Sequence, residues 1–337
     1  DGLVPPMDFL PILEGTNVEL LLGRWVINNA VKQIAQWQAD GLMIEVSINI
    51  SSDHLQSPTF IDDLKEILSK YKGIDVSYIQ LEILESSALG DLSTISNTLH
   101  ICRKDLRLQV ALDDFGTGYS SLTHIKSLPA SIIKIDQSFV IDMLNDPNNY
   151  SIIKGVLGLA NSFARDVIAE GVESTAHGLM LLMMGCEKAQ GYGIARPMPV
   201  CDFNNWLISY QPNEDWLYWA NKEMNQKEIK LKLFDIALRN EFTQLTKRMS
   251  SPLNQNSVQV DQYQNTVCSN WLNRKTQSKL FSQSWLIELK SAYQLMHQEA
   301  KVLYQHRLNC DTENTTSSLE KIKHLFDDVI LIISKVK

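Results

Sequence analysis

Between residues 17 and 210 the chain alternates short apolar runs with longer stretches in which apolar residues recur every three or four positions. Runs of four to eight β-prone residues suit strands and a 3.6-residue recurrence suits helices, so this alternation is the βα rhythm of a parallel sheet. Six runs are predicted as strands: Met43 to Ile50, Tyr78 to Leu84, Arg107 to Asp113, Ser131 to Asp136, Asp166 to Ala169 and Cys186 to Gln190. The first four are strongly apolar, as strands covered on both faces should be. In the first helical stretch Leu22, Trp25, Val26 and Ala30 fall on one face at the i, i+3, i+4, i+8 spacing. Periodicity alone leaves two closures open for six such units, a barrel or an open doubly wound sheet.

After Gln211-Pro212 the rhythm changes to long helical patterns without strands. One segment carries Leu286, Leu289, Tyr293, Met296, Ala300 and Leu303 as a stripe; the last carries Leu319, Ile322, Leu325, Phe326, Val329, Ile332, Ile333 and Val336. Stripes this broad belong to an antiparallel bundle, expected to have four helices. Ser250 to Gln264 and Asn309 to Ser318 read as its loops. The expected division is therefore an α/β domain over 1–210, a helical linker over 211–230 and an all-α bundle over 231–337.

At 337 residues with 44% apolar side chains, the chain has enough material for a core in each of two domains. The net charge of −8, with both signs dispersed, argues against a nucleic-acid polymer as partner, and an anionic substrate would need local cations or bound metal. Five unclustered cysteines suggest reduced thiols and a cytoplasmic protein, and no run of about 18 apolar residues predicts a membrane span.

Polar residues that could carry chemistry fall at the carboxyl ends of the predicted strands. They are Asn49, Glu82 with Glu85, Asp113 with Asp114, Lys134 with Asp136, Glu170 with Glu173, and Gln190. Singly, Asn49 or the Glu82/Glu85 pair would pass for capping or solvated groups, and Lys134 for a structural salt bridge. Six successive strand ends of this kind are not what a neutral scaffold needs, and in a (β/α) barrel all of them converge on one face, where such folds place their active sites. Carboxylates gathered there repel one another unless cations intervene, and oxygen ligands without His or Cys suit Mg²⁺ or Mn²⁺. Two such ions about 3.5 to 4 Å apart are a standard device for phosphodiester cleavage. Asp113 is the expected bridging ligand, Lys134 the group that orients water or neutralises developing charge, and Glu170 a ligand or proton acceptor.

The string Asp113-Asp114-Phe115-Gly116-Thr117-Gly118-Tyr119-Ser120-Ser121-Leu122 resembles the DDFGTGYSSL signature of EAL-domain phosphodiesterases. Ile48-Asn49-Ile50-Ser51, Leu81-Glu82-Ile83-Leu84-Glu85-Ser86, Ile133-Lys134-Ile135-Asp136, Ala169-Glu170-Gly171-Val172-Glu173, Gln190-Gly191-Tyr192 and Arg196-Pro197-Met198-Pro199 match that family's motifs in order, over residues 1 to 205. The resemblance implies a TIM-like (β/α) barrel that hydrolyses cyclic di-GMP to linear pGpG with two Mg²⁺ or Mn²⁺ ions in bacterial signalling. It implies Asn49, Glu82, Asp113, Asp114 and Glu170 as metal ligands, and Lys134, Glu170 and Gln190 as the catalytic cluster. It further implies Asp136, Glu173 and Pro197 as substrate-binding residues, and Glu85 as support for the loop Gly116-Thr117-Gly118, which in the family links active site and dimer interface. A homodimer and upstream signalling domains such as GGDEF or PAS are the implied partners. By the same resemblance the Glu-Ala-Leu motif, two strands, one ligand Glu and a substrate-binding Arg are expected upstream of Asp1, so that the barrel here lacks its N-terminal strands. Leu84 stands where the family has Thr.

The helical segment resembles the CZB domain, a zinc-binding bundle. Arg239 to Phe242 fall at its HxxW position, Thr266 to Leu272 at its C-x-[LF]-G-x-W-L position, and Tyr293 to His297 at its HxxxH position. Arg239, Thr266 and Tyr293 replace three of the four ligands and leave His297, too few donors for tetrahedral zinc. Cys268 is read as a packed thiol. A sensory or dimerising bundle without zinc is expected. Three functions compete on sequence: a phosphodiesterase, a cyclic di-GMP receptor that does not cleave, and a structural interaction module.

Overall fold

The computed structural model describes residues 4–85, 92–118, 122–250, 265–274, 277 and 279–336. The chain divides into two compact units, residues 1–137 with 155–170, and residues 138–154 with 171–337. In chain order the elements are α1 (Pro6–Leu13), α2 (Asn17–Ala39), β1 (Val46–Asn49), α3 (Ser52–Gln56), α4 (Phe60–Lys70), β2 (Ile79–Leu84), α5 (Leu92–Lys104), β3 (Gln109–Phe115), α6 (Leu122–Ser127), β4 (Ile132–Ile135), α7 (Gln137–Asp142), α8 (Pro147–Ser162) and β5 (Asp166–Ala169). There follow α9 (Thr175–Met184), β6 (Lys188–Ala189), α10 (Val200–Ser209), α11 (Glu214–Ala220), α12 (Gln226–Ser250), α13 (Val267–Asn273), α14 (Gln283–Leu308) and α15 (Thr312–Ser334). All six predicted strands are present, most of them shorter than their apolar runs.

In the first unit β1 to β5 lie side by side in chain order, every pair parallel. This half-barrel sheet with surrounding helices is the TIM-like arrangement expected from the sequence. Strands joined through helices and covered on both faces explain the mainly apolar runs. Ile48, Leu81, Ile83, Val110, Leu112, Ile133 and Ile135 form one buried face. The alternate positions, Ser47 and Asn49, Gln80 and Glu82, Gln109 and Asp113, and Lys134, form the other. That second face is layered. Near the amino ends Ser47 Oγ donates to Gln80 Oε1 at 2.7 Å and Gln109 Nε2 donates to the Ser77 carbonyl at 3.3 Å. One layer higher stand the ionisable residues.

The buried side of α2 is not centred on the Leu22, Trp25, Val26 and Ala30 stripe. Its buried residues are Ile27, Val31 and Ile34, while Trp25 is 63% exposed. The helix is apolar on several sides, so the stripe alone was ambiguous, and polar anchors settle the rotation. Arg24 pairs with Asp63 and Glu66 on α4. Gly23 lies against the buried ring of His54, whose Nδ1 would be 2.3 Å from any Cβ at this position.

In the second unit Ser174 caps α9, and Trp216 of α11 lies over Gly178 while its Nε1 donates to the Thr175 carbonyl at 2.9 Å. The bundle comprises the long helices α12, α14 and α15 and the short α13, the latter started by a Thr266/Ser269 capping box. Phe234, Trp271, Phe281, Tyr293 and Leu303 fill its core. The predicted stripes of α14 and α15 face inward. The loop expected at Ser250 to Gln264 lies outside the described residues beyond Ser250. The loop expected at Asn309 to Ser318 is shorter: α15 begins at Thr312, because Asp311 Oδ1 accepts the Asn314 N–H and starts a helix whose first turns are polar. All five cysteines are free thiols, and among the described residues no helix is long and apolar enough to cross a membrane.

Candidate functional site

At the carboxyl ends of β2, β3, β4 and β5 four charged side chains meet. Lys134 Nζ lies 2.8 Å from Glu82 Oε1, 3.1 Å from Asp113 Oδ1 and 2.5 Å from Glu170 Oε1. Lys134 and Glu82 are each 3% exposed and Asp113 8%. Burial alone would lower the Lys134 pKa, but hydrogen bonds and charges from Glu170 and Glu82 hold it above the ordinary lysine value, so the ammonium persists at neutral pH. For Glu170 burial dominates and raises its carboxyl despite Lys134.

The strand register explains how the residues reach one place. Asn49 pairs with Glu82 across β1 and β2, and Leu84 with Asp113 across β2 and β3. Adjacent residues of a regular strand point to opposite faces, which would send Asp113 and Asp114 apart. The β3–β4 register instead shifts between Leu112 and Phe115, and Asp114 has a left-handed φ of +52°. A bulge of this kind re-aims a side chain. It brings ligating oxygens of Asp113, Asp114 and Glu170 within 4.8 Å of one another. Asp114 also hydrogen-bonds Asp136; burial first, then the Asp113 and Asp136 charges, push its carboxyl up to about 6.

The loop after Asp114 is tied to the site. Glu85 accepts the Gly116 N–H at 2.8 Å, and its own N–H donates to the Asp113 carbonyl at 3.0 Å. A Cβ on Gly118 would sit 3.2 Å from Glu85 Oε1. Thr117 Oγ1 donates to the Asp114 carbonyl. The rest of the signature, Tyr119 to Ser121, and Ser86 lie outside the described residues.

Asn49 stands exposed at the end of β1, level with Glu82. Glu173, Gln190 and Pro197 belong to the second unit and are exposed there. Within that unit the segments bearing Glu173 and Gln190 are joined through backbone: Val172 N–H donates to the Gln190 carbonyl at 3.0 Å and Gly193 N–H to the Val172 carbonyl at 2.8 Å. Gly191, at φ +155°, is required there because a Cβ would come within 2.3 Å of Val172 N.

Three carboxylates, Glu82, Asp113 and Glu170, surround a single ammonium, and Asp114 lies beside Asp113 and Glu170, which leaves the cluster acidic. Among the described residues Glu82 Oε1 and Asp113 Oδ1 are buried atoms with no hydrogen bond beyond the ion pair to Lys134. An all-oxygen donor set with surplus negative charge fits a hard divalent cation.

The bundle holds a second polar cluster, and its central residue, Glu241, was not singled out in the sequence. Tyr293 Oη donates to the Glu241 carboxylate at 3.0 Å, Thr266 Oγ1 lies 2.7 Å from Tyr293 Oη, and His297 Nε2 is 2.9 Å from Glu241 Oε1. Cys268 also hydrogen-bonds Glu241; burial, then that carboxylate, raises its thiol well above the ordinary range. The signal for Glu241 was its place on the buried stripe Phe234, Ala237, Leu238 and Leu245. Arg239 instead faces Asp235 on the exposed side.

The EAL domain family model matches residues 1–197. The cyclic di-GMP phosphodiesterase PA2567 of Pseudomonas aeruginosa is 36% identical over 206 residues, covering 61% of this chain and 35% of that protein. The cyclic di-GMP phosphodiesterase PdeR of Escherichia coli is 38% identical over 213 residues, covering 62% and 31%. This chain thus spans about a third of the length of these curated relatives. Among solved structures, the PaMucR phosphodiesterase in complex with c-di-GMP superposes with a TM-score of 0.58 at 32% identity, covering 60% of this chain and 81% of that one. With more than half its length matched by the family model and its acidic cluster assembled at the strand ends, the chain belongs to the EAL domain family.

Proposed function

We propose that the protein carrying this chain hydrolyses cyclic di-GMP to linear pGpG with two Mg²⁺ or Mn²⁺ ions. The observation that carries the proposal is the convergence of Glu82, Asp113 and Glu170 on one buried lysine, with Asp114 beside Asp113 and Glu170. The names of the relatives and of the ligand-bound neighbour supply the substrate.

In this reading Asn49, Glu82, Asp113, Asp114 and Glu170 hold the ions. When bound, a cation pair supplies an activated water and neutralises charge on the phosphate. Lys134, kept cationic by its carboxylate partners, orients the attacking water and faces the charge that grows on the phosphoryl oxygens. Glu170, its carboxyl raised by burial, accepts the water's proton. Water adds to phosphorus, the bond from phosphorus to one ribose oxygen breaks, that oxygen takes a proton from solvent and leaves as a hydroxyl, and the ring opens to the linear dinucleotide. Gln190 completes the cluster, while Asp136, Glu173 and Pro197 bind the nucleotide. Glu85 keeps the Gly116–Gly118 loop against Asp113.

The domain division at residues 210 and 230 belongs to the same proposal, with the CZB-like bundle, free of zinc, as sensory or dimerising element and a cytoplasmic setting. Incubating the full-length protein with cyclic di-GMP and Mg²⁺ or Mn²⁺ tests it. Appearance of pGpG is expected. Binding without product would make the protein a receptor, and no binding would make it a structural module.

A further inference from the structure

Glu173 lies three residues beyond Glu170, in the segment that the Gln190 strand end grips through Val172. On its other side the segment meets His177 of α9. The Glu173 N–H donates to His177 Nδ1 at 3.3 Å, and His177 also hydrogen-bonds the Ile141 carbonyl at the end of α7. A neutral imidazole has one accepting and one donating nitrogen. With Nδ1 accepting from Glu173, the proton must sit on Nε2 and point to Ile141. Only the neutral ring in this tautomer makes both bonds, since an imidazolium would turn an N–H against the Glu173 N–H.

The surroundings hold it that way. The ring is 8% exposed, on a helix whose start is fixed by Ser174 Oγ accepting the His177 N–H at 3.2 Å. Burial lowers its pKa, opposed by the charges of Glu173 and Asp142, the acidic groups that face it. The hydrolytic chemistry proposed above makes no use of His177.

We propose that His177 is a positioning residue, a fixed-tautomer bridge from the Ile141 carbonyl to the Glu173 N–H that sets the Gly171–Glu173 segment between α7 and the Gln190 strand end. The kinetic part of this inference rests on the phosphodiesterase reading; the structural part does not. Glutamine can place a carbonyl and an amide N–H much as this tautomer does, whereas alanine can place neither.

The test compares His177→Ala and His177→Gln in the full-length protein. Amide exchange over residues 171–174, measured by mass spectrometry, reports the bridge directly. His177→Ala should exchange there at least tenfold faster, while His177→Gln should remain within about twofold of the parent. On cyclic di-GMP, His177→Ala should lower kcat per folded molecule about tenfold and raise KM, and His177→Gln should recover both. Unchanged exchange in folded His177→Ala, or a folded His177→Gln that behaves like the alanine variant, would overturn the proposal. Should the parent release no pGpG, the functional reading fails while the exchange comparison still decides the role of His177.

Discussion

The barrel end and the bundle each bury a cluster of polar side chains, and the two are balanced differently. In the bundle one carboxylate, Glu241, is met by Tyr293, His297 and Cys268, with Thr266 completing the chain of hydrogen bonds. There a single carboxylate faces three groups able to donate, so negative charge is not in surplus. At the strand ends Glu82, Asp113 and Glu170 crowd around one Lys134, with Asp114 beside them. There the acceptors outnumber the donors. A surplus of buried negative charge is costly to folding and useful to a site that takes up cations, so the imbalance rather than the burial distinguishes a chemical site from a structural one.

Removing the lysine should break this contrast most severely. Lys134→Ala leaves three buried carboxylates facing one another, so we expect a loss of about 3–5 kcal/mol in denaturant unfolding without metal. Turnover should fall by at least a hundredfold. Added Mn²⁺ should restore part of the lost stability, since a cation can take the ammonium's place. In the bundle a single deletion should act only on stability. Tyr293→Phe strips one donor from Glu241 and should cost about 1–3 kcal/mol in the same experiment. Its turnover per folded molecule and its response to Mn²⁺ should match the parent.

The smallest effect is a matter of pH. The Asp114 carboxyl, raised by burial to about 6, lies above its ordinary range near 4. A carboxyl with a raised folded pKa favours the folded state at low pH and loses that contribution as pH rises from about 4 through 6. Asp114→Asn should therefore raise the melting temperature of the metal-free protein at pH 7.5 and leave it nearly unchanged at pH 4. In the parent, metal binding should strengthen as pH rises through about 6. A melting temperature at pH 7.5 unmoved by the substitution would show that the Asp114–Asp136 pair carries no such tension.

The parallel strands were legible because burial on both faces leaves a mainly apolar run, visible in Ile132 to Ile135, interrupted by Lys134, and in Ile79 to Leu84, interrupted by Gln80 and Glu82. The site residues were legible as polar exceptions at the ends of those runs. The β3 bulge was not, because alternation assigns Asp113 and Asp114 to opposite faces and only the β3–β4 register shift shows otherwise. The face of α2 was hidden for the opposite reason: apolar residues on several sides give a stripe no single direction, and Arg24, Gly23 and His54 settle it through distant partners. Glu241 and His177 carried a weaker mark. Each is a polar residue at a buried position of its helix, where composition alone suggests a solvated or filler role.

Cation uptake at the strand ends is tested most directly by titrating Mn²⁺ into the full-length protein at pH 7.5 and into its Asp113→Asn variant, with bound ion counted by electron paramagnetic resonance. Two saturable ions per chain are expected in the parent, with uptake lost or strongly weakened in the variant while its fold persists. No saturable Mn²⁺ in the parent, or the same isotherm in both proteins, would contradict it.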